Sequence, residues 1–513
     1  MSRPIPLSEL LAGVPGVSLD GDPETIIGGV GLDSRRVRPG ELFAALPGAS
    51  QDGLSYVHDA LRAGAAAILA GCPRRPQAED AAWIHAEDPR RSLALIARNF
   101  HSRPDERVTL VGITGTNGKT TVAALVCEIL EEFGLKTGLI GTVSYRIGER
   151  ETPAGRTTPE APDLYRMFEE MVADGCRYAA IEISSHGLAL ERVAGLSVAV
   201  AVFTNLTRDH LDFHGDVESY AAAKRRLFSE RLRRDGVAIA CADDPRCREM
   251  LAAAPETARR LTFGFADGAD IRIRLCRAGL DGTELAMELP GGRIVEERTA
   301  LPGGPGALNI AAAVAAAHAL GLDPERACHA AARFPGVPGR FERVDRGQEF
   351  AVIVDFAHTD SAMSGLLSAV REMGPGRLIT VFGCGGDRDR SKRAPMGAAA
   401  IRHSDMVFLT SDNPRTEPPE RILREVEAGI SAEPGSSGRY RVLPDRREAI
   451  FAAIASAGPG DAVVIAGKGH ETVQILKDRT VPFDDRIVAA EALDLRAGRP
   501  AAAPVSGGRS GRA

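Results

Sequence analysis

Residues 108–134 read "VTLVGITGTNGKTTVAALVCEILEEFG", and the fold class follows from how that stretch divides. An apolar run rich in Val and Ile comes first, then a glycine-bracketed polar loop, then a helical run. A strand that ends in such a loop and opens a helix lets backbone N–H groups and the helix N-terminus cradle phosphates. Lys119 would reach the terminal phosphates and Thr120 would ligate Mg²⁺. The strict phosphate-loop spacing is missed by one, because Gly112 and Gly118 enclose five residues rather than four. Gly115 offers the alternative glycine.

The same grammar repeats outward. "YAAIEI" (178–183) and "VAVAVFTNL" (198–206) alternate with helical segments, and so do "FAVIVDFA" (350–357), "LITVFG" (378–383), "MVFLTSD" (406–412) and "AVVIAGKG" (462–469). Such runs suit parallel sheets covered on both faces. Ligands in these sheets sit at the carboxyl ends of strands, where the polar motifs fall. The expected architecture is α/β in three domains. A small mixed α/β N-terminal domain (1–103) precedes a central phosphate-loop ATPase domain with a mainly parallel sheet (104–335). A C-terminal Rossmann-like α/β domain (336–498) follows, with a disordered tail (499–513). The joints are the polar "HSRPDERV" (101–108) and the Pro/Gly-rich "FPGVPGRFE" (334–342). An Ala-rich helix is expected over Val57 to Ala65.

Length agrees, since 513 residues exceed one core and suggest about three units at ~150 residues each. The net charge of −6 leaves no global basic field, which argues against a nucleic-acid binder. Eight cysteines without a CxxC pair fit reduced thiols rather than a disulfide frame or zinc site. No apolar run reaches the ~18 residues of a membrane span, and the N-terminus lacks the apolar core of a signal peptide. A cytoplasmic monomer without membrane insertion is expected.

A nucleotide site needs charge-neutralising groups on neighbouring strands. "IEISSHG" supplies Glu182, and "TNLTRDHLDFHG" supplies Asp209, His210 and Asp212. One such acid is ordinarily just solvated, and one such histidine structural; clusters after successive strands weaken that reading. Lys224 in "YAAAKRRLF" reads as a surface lysine, since a cation beside Mg²⁺ would be repelled. "SDNPRTEPPE" (411–420) reads locally as a turn before a helix, with prolines in the first turn and Thr416 as a cap.

Taken in order, "GTNGKTT", "EISSHG", "TNLTRDHLDFHG", "YAAAKRRLF", "VPGRFERV", "VDFAHT", "FGCGGDRDRSKR", "DNPR" and "AGKGHE" resemble the motifs of the Mur ligase family. The likeness runs from "LDSRRVRPGELF" (32–43) to "FDDR" (483–486). It implies ATP-dependent, ADP-forming addition of an amino acid to UDP-N-acetylmuramoyl-L-alanyl-D-glutamate through an acyl phosphate. It also implies a uridine-nucleotide site at Leu32, Ser34, Ala49, Ser50 and Gln51, and a dipeptide grip at Thr157, Thr158, Ser184 and Arg192. Gly115, Thr116, Asn117, Gly118, Lys119, Thr120 and Thr121 would hold ATP, with Asn309. A closing third domain would add Arg340, Asp355 and His358. Metal ligands would be Thr120, Glu182, His210 and Lys224, the last as a CO₂-derived carbamate, which removes the charge conflict. Lys119, Lys224 and His210 would be catalytic.

For the amine, the reading weighs diaminopimelate against L-lysine, which differ by one carboxylate and a stereocentre. An arginine fork left unpaired by the missing carboxylate would discriminate. The resemblance favours diaminopimelate, held by Arg388, Asp412, Asn413, Pro414, Arg415, Gly467 and Glu471. The sequence departs from the family pattern in "GGPGALN" (303–309), where Gly306 replaces an asparagine, at Leu190, and at Cys241 in "CADD". Two alternatives stay open: another amide ligase on this scaffold, of folylpolyglutamate or cyanophycin type, and a nucleotide switch that hydrolyses ATP slowly.

Overall fold

In the computed structural model, residues 4–48, 52–74, 81–280 and 282–499 are described. Ala49, Ser50, Gln51 and the tail beyond 499 therefore lie outside the described residues. The chain divides into two compact units, the second beginning for good at Ala332 and also taking Arg274–Met287 and Glu296–Ala307.

The first unit holds two larger sheets and the short antiparallel pair Ile5–Pro6 with Ile26–Ile27. The N-terminal sheet runs Val17–Asp20, Ala82–Ala86, Ala67–Ala70, Leu42–Ala45, Val30–Gly31, antiparallel at the first pair and parallel after it. The helix beside it is shorter than expected, Val57–Arg62. Gly64 takes φ +92° and returns its N–H to Leu61 O, which turns Ala65 out of the helix toward the next strand. Among the described residues the larger sheet has eleven strands, of which the first eight in order are Arg150–Pro153, Ser144–Ile147, Thr137–Ile140, Tyr178–Glu182, Thr109–Thr114, Val198–Phe203, Leu232–Cys241 and Arg259–Gly264. From Thr137–Ile140 to Arg259–Gly264 its neighbours are parallel. Its central strands are buried on both faces, which is why they read as unbroken Val/Ile/Ala runs. The polar segment 101–108 is packed rather than loose. Asp105 is 2% exposed, accepts from Arg98 Nε at 2.9 Å and takes the Ser197 N–H at 3.2 Å.

The second unit carries a six-stranded sheet ordered Glu342–Arg343, Ala351–Asp355, Ala462–Ala466, Leu378–Phe382, Met406–Leu409, Tyr440–Val442. Only the first pair is antiparallel. Helices cover both faces, giving separate cores around Leu367, Phe382 and Val426 on one side and Ile450, Val463 and Leu493 on the other.

At the carboxyl edge of this sheet Arg446 and Asp485 form an ion pair with both side chains fully buried; two guanidinium nitrogens each donate at 2.7 Å. Arg446 also donates to Ala466 O at 2.9 Å, just past the end of one strand's pairing. Removing one member strands the other charge, at a cost of about 3–5 kcal/mol, whereas apolar replacement of both is often neutral. Asp485→Ala should therefore lower the denaturant midpoint strongly, and Arg446→Met/Asp485→Leu should recover most of it.

Candidate functional site

The loop after strand Thr109–Thr114 has two glycines in conformations that L side chains rarely adopt. Gly115 has φ +148°, and a Cβ there would lie 1.9 Å from Thr204 Oγ1; Gly118 has φ +86°, and a Cβ would lie 2.4 Å from Asn309 Oδ1. Gly115 is thus the loop glycine. Gly112 serves packing instead, because a Cβ there would press on Ile183 at 3.0 Å. Gly118 caps the helix Lys119–Glu132, whose unpaired N–H groups face the loop. The loop is tied down by the next strand's end: Thr116 N donates to Asn205 O at 2.8 Å, Asn117 N to Asn205 Oδ1 at 3.0 Å, and Thr204 Oγ1 to Asn117 O at 2.6 Å.

Gly115 O accepts from two lysines, Lys119 Nζ at 2.9 Å and Lys224 Nζ at 2.7 Å. Lys224 is 1% exposed, contrary to the surface reading, and lies 4.4 Å from the centre of the Tyr220 ring. It is buried because it falls on the inward stripe Tyr220, Ala221, Lys224 of the helix Val217–Arg226. Burial, and next the Lys119 charge, hold its amine well below the usual lysine range.

Glu182, 1% exposed at its strand's end, accepts from Thr120 Oγ1 at 2.9 Å, Thr142 N at 2.7 Å and Thr142 Oγ1 at 3.0 Å. Thr142 Oγ1 also meets Thr157 Oγ1 at 3.0 Å. Thr158 Oγ1 donates to Glu182 O and lies 3.0 Å from Ser184 Oγ, while Arg192 Nη1 donates to Thr158 O at 3.2 Å. The phosphate loop, Glu182 and the four residues expected to grip a dipeptide therefore form one bonded group. His210 stands at its margin, φ +53°, with its ring 4.8 Å from His186 and 6.2 Å from Tyr220. Burial, with the neighbouring histidines, pushes His186 down to about 4. Leu32 and Ser34 lie just past the N-terminal strand Val30–Gly31.

Among the described residues, no three His, Cys, Asp or Glu side chains converge as a ready metal cage. The hard oxygens of Thr120 and Glu182 beside a phosphate loop fit Mg²⁺, which commonly takes one or two protein oxygens and completes its shell with phosphate and water.

In the second unit the opening turn of "SDNPRTEPPE" is held by a buried lysine. Lys468, 0% exposed, donates to Asn413 Oδ1 at 3.1 Å, Glu471 Oε2 at 2.9 Å and Val473 O at 2.7 Å. Asn413 Nδ2 in turn donates to Glu471 Oε2 at 2.8 Å. Burial alone would raise the Glu471 carboxyl, but Lys468 outweighs it and holds it below the usual range. Asp412 is 8% exposed with Oδ1 unbonded, and burial raises its carboxyl. Gly467, φ +112°, faces Asp412 Oδ2; Arg415 Nη1 donates to Gly386 O at 2.8 Å, and Arg388 is exposed on the neighbouring loop. Pro414 is buried between these contacts. Thr416 is not a cap. The helix Pro419–Ser431 has Pro418 at its N-cap with no side-chain bond, and the Thr416 hydroxyl donates to Asp387 instead. Arg340 and His358 both pack on Phe356, beside Asp355, whose carboxylate takes Phe341 N and Ala357 N at 2.7 Å each.

Sequence reasoning missed Thr142, Asn205, Lys468 and Asp387. Lys468 and Asp387 stood inside quoted motifs, and Thr142 follows a strand in "LIGTV", but their partners are remote in sequence. Among the departures, Cys241 is a buried thiol beside Asp243. Gly306 approaches Leu301 so closely that a Cβ would lie 2.8 Å from its backbone, so an asparagine there requires a shift. Gly115→Ala should weaken nucleotide binding at least about tenfold, one step of 1.4 kcal/mol, in a calorimetric titration. Gly365→Ala, in open space, should leave it unchanged.

Comparison with known proteins agrees along the whole length. Residues 26–101 match the catalytic domain of the Mur ligase family, 113–317 the Mur ligase middle domain, and 339–469 the Mur ligase glutamate ligase domain. The UDP-N-acetylmuramoyl-L-alanyl-D-glutamate--2,6-diaminopimelate ligase of Solibacter usitatus is 46% identical over 92% of this chain and 94% of its own. The ligase of the same name from Geobacillus kaustophilus is 43% identical over 96% and 99%. A solved structure of a ligase with that name superposes with TM-score 0.69 at 32% identity, covering 96% of this chain and all of the other. With three matched domains in the same order as the motifs and nearly full-length relatives above 40% identity, the chain belongs to the Mur ligase family.

Proposed function

We propose that this chain is an ATP-dependent, ADP-forming ligase that joins diaminopimelate to UDP-N-acetylmuramoyl-L-alanyl-D-glutamate in peptidoglycan precursor synthesis. The observation that carries the reading is the bonded group of phosphate loop, Thr120, Glu182 and buried Lys224. The names carried by its nearly full-length relatives support the substrates.

A carboxylate and an amine do not condense directly at useful rates, since both are stable ions and the oxygen to be lost is a poor leaving group. In the proposed first step the D-glutamyl γ-carboxylate oxygen bonds to the ATP γ-phosphorus while the bond to the bridging oxygen breaks, releasing ADP. In the second, the neutral amine nitrogen bonds to the acyl carbon, phosphate leaves with the C–O electron pair, and the nitrogen gives up one proton to the departing phosphate. Lys119, now on Gly115 O and Thr116 O at 2.9 and 2.8 Å, exchanges those carbonyls for phosphate oxygens. The loop N–H groups bind the same phosphates. Thr120, Glu182, His210 and carbamylated Lys224 are assigned to Mg²⁺, which supplies neutralisation of phosphate charge. Carbamate forms when the neutral amine bonds to CO₂ and loses a proton, so the lowered pKa of Lys224 favours it. Because its formation releases a proton, the carbamate should be lost as pH falls.

Arg340, Asp355 and His358, with Asn309, are assigned to ATP. Thr157, Thr158, Ser184 and Arg192 are assigned to the dipeptide, and Leu32 and Ser34 to the uridine nucleotide. In the amine subsite Arg388 and Arg415 would take a carboxylate, and Asp412 and Glu471 an ammonium, positioned by Asn413, Pro414 and Gly467. The segments 1–103, 104–335 and 336–498 are the proposed functional domains, in a cytoplasmic monomer. No helix among the described residues is long and apolar enough to cross a membrane.

ADP release measured with UDP-muramoyl dipeptide should require diaminopimelate and be weak with lysine; phosphate release without either substrate would instead support a nucleotide switch. Lys224→Ala should abolish turnover and regain part of it with added short-chain carboxylate; wild-type activity would refute the carbamate role. Arg415→Ala should raise the KM for diaminopimelate by about a hundredfold, the scale of a lost buried charge pair, with ATP affinity unchanged.

A further inference from the structure

The two loops that carry the proposed amine contacts each contain a non-glycine residue in the left-handed region, Asp387 at φ +53° and Arg415 at φ +51°. Such residues persist where surrounding contacts over-determine them, and they cluster at functional sites. Here the contacts run between the loops. The Asp387 carboxylate accepts from Thr416 Oγ1 at 2.8 Å and Thr416 N at 3.1 Å, while the Asp387 N–H donates to Glu417 Oε1 at 2.7 Å. Gly386 N donates to Asn413 O at 2.9 Å, completing the lacing.

Asp387 immediately precedes Arg388, and Thr416 immediately follows Arg415. The two arginines assigned to the amine's carboxylate therefore hang from the two ends of one carboxylate clamp. Its support runs inward: Glu417 also accepts from both Nη atoms of Arg393, at 2.8 and 3.0 Å, and Arg393 is 0% exposed and donates to Gly385 O at 3.1 Å. Asp387 and Thr416 are themselves exposed, so the clamp adds little to overall stability.

We propose that Asp387 is a positioning residue for amine selection, its carboxylate fixing the separation of Arg388 and Arg415 and hence the preference for an amino acid with a second carboxylate. This rests on the reading of the reaction given above.

The test uses the full chain, with ADP release followed at saturating UDP-dipeptide while diaminopimelate, lysine or ATP is varied in turn with the other substrate saturating, and with melting temperatures measured alongside. Asp387→Gly keeps the left-handed backbone at no steric cost but removes both acceptors. Asp387→Asn keeps one acceptor and a side chain that tolerates this conformation. Expected for the glycine variant is a KM for diaminopimelate raised on the order of tenfold, the worth of a lost charge-assisted bond. Its preference over lysine should fall, with ATP KM and melting temperature unchanged. The asparagine variant should recover to within about threefold. An unchanged amine KM in the glycine variant, or equal rises for ATP and amine with a lowered melting temperature, would overturn the positioning role alone. A wild-type enzyme that uses lysine and not diaminopimelate would overturn the reading of the reaction and the proposal with it.

Discussion

Two lysine nitrogens share one carbonyl oxygen, that of Gly115. Two ammonium charges on one neutral acceptor would repel each other, and burial, where water cannot screen, with the Lys119 charge holds the Lys224 amine well below the usual lysine range. A few ångströms along the loop, the Glu182 carboxylate is satisfied by two threonine hydroxyls and one backbone N–H. The Glu182 carboxylate is thus held on neutral donors, which an incoming cation can displace without first breaking a strong ion pair. The strand order enforces this, since Thr109–Thr114 lies between Tyr178–Glu182 and Val198–Phe203 and all three parallel strands deliver their loops to one edge.

The fold was legible where backbone chemistry leaves few choices. Buried parallel strands must be apolar on both faces, so seven quoted runs are strands, and a loop with φ values of +148° and +86° must use glycine. The spacing mismatch that left Gly112 and Gly115 as alternatives was resolved only by packing, because Gly112 is small for Ile183 and not for a ligand. The burial of Lys224 was also present as pattern. Tyr220, Ala221, Lys224, Leu227 and Phe228 follow the spacing of one helix face, and a charged residue within an apolar stripe is the informative exception.

Long-range pairing was not legible. Thr416 looked like a cap because caps are local, within three residues, whereas its partner Asp387 lies twenty-nine positions away. Thr142 reaches Glu182 across forty positions, and Asn413 reaches Glu471 across fifty-eight. Residue type announces such groups as polar; only the strand order determines which of them meet.

The second unit shows what those meetings are for. At or beyond the ends of its strands, three buried cations donate to main-chain carbonyls. Arg446 reaches Ala466 O, Arg393 reaches Gly385 O, and Lys468 reaches Val473 O. Each is balanced by acids, Asp485 for Arg446, Glu417 with Glu425 for Arg393, and the nearby Glu471 with the remote Asp412 for Lys468. Buried ion pairs are weak contributors to stability compared with apolar packing of the same volume, so stability alone does not account for three at one sheet edge. Their directional bonds do fix loops that hydrophobic contact would leave free to slide. The amine subsite proposed above, which would distinguish two substrates by a single carboxylate, would need its arginines held to that tolerance, and the cations beneath the loops would provide it.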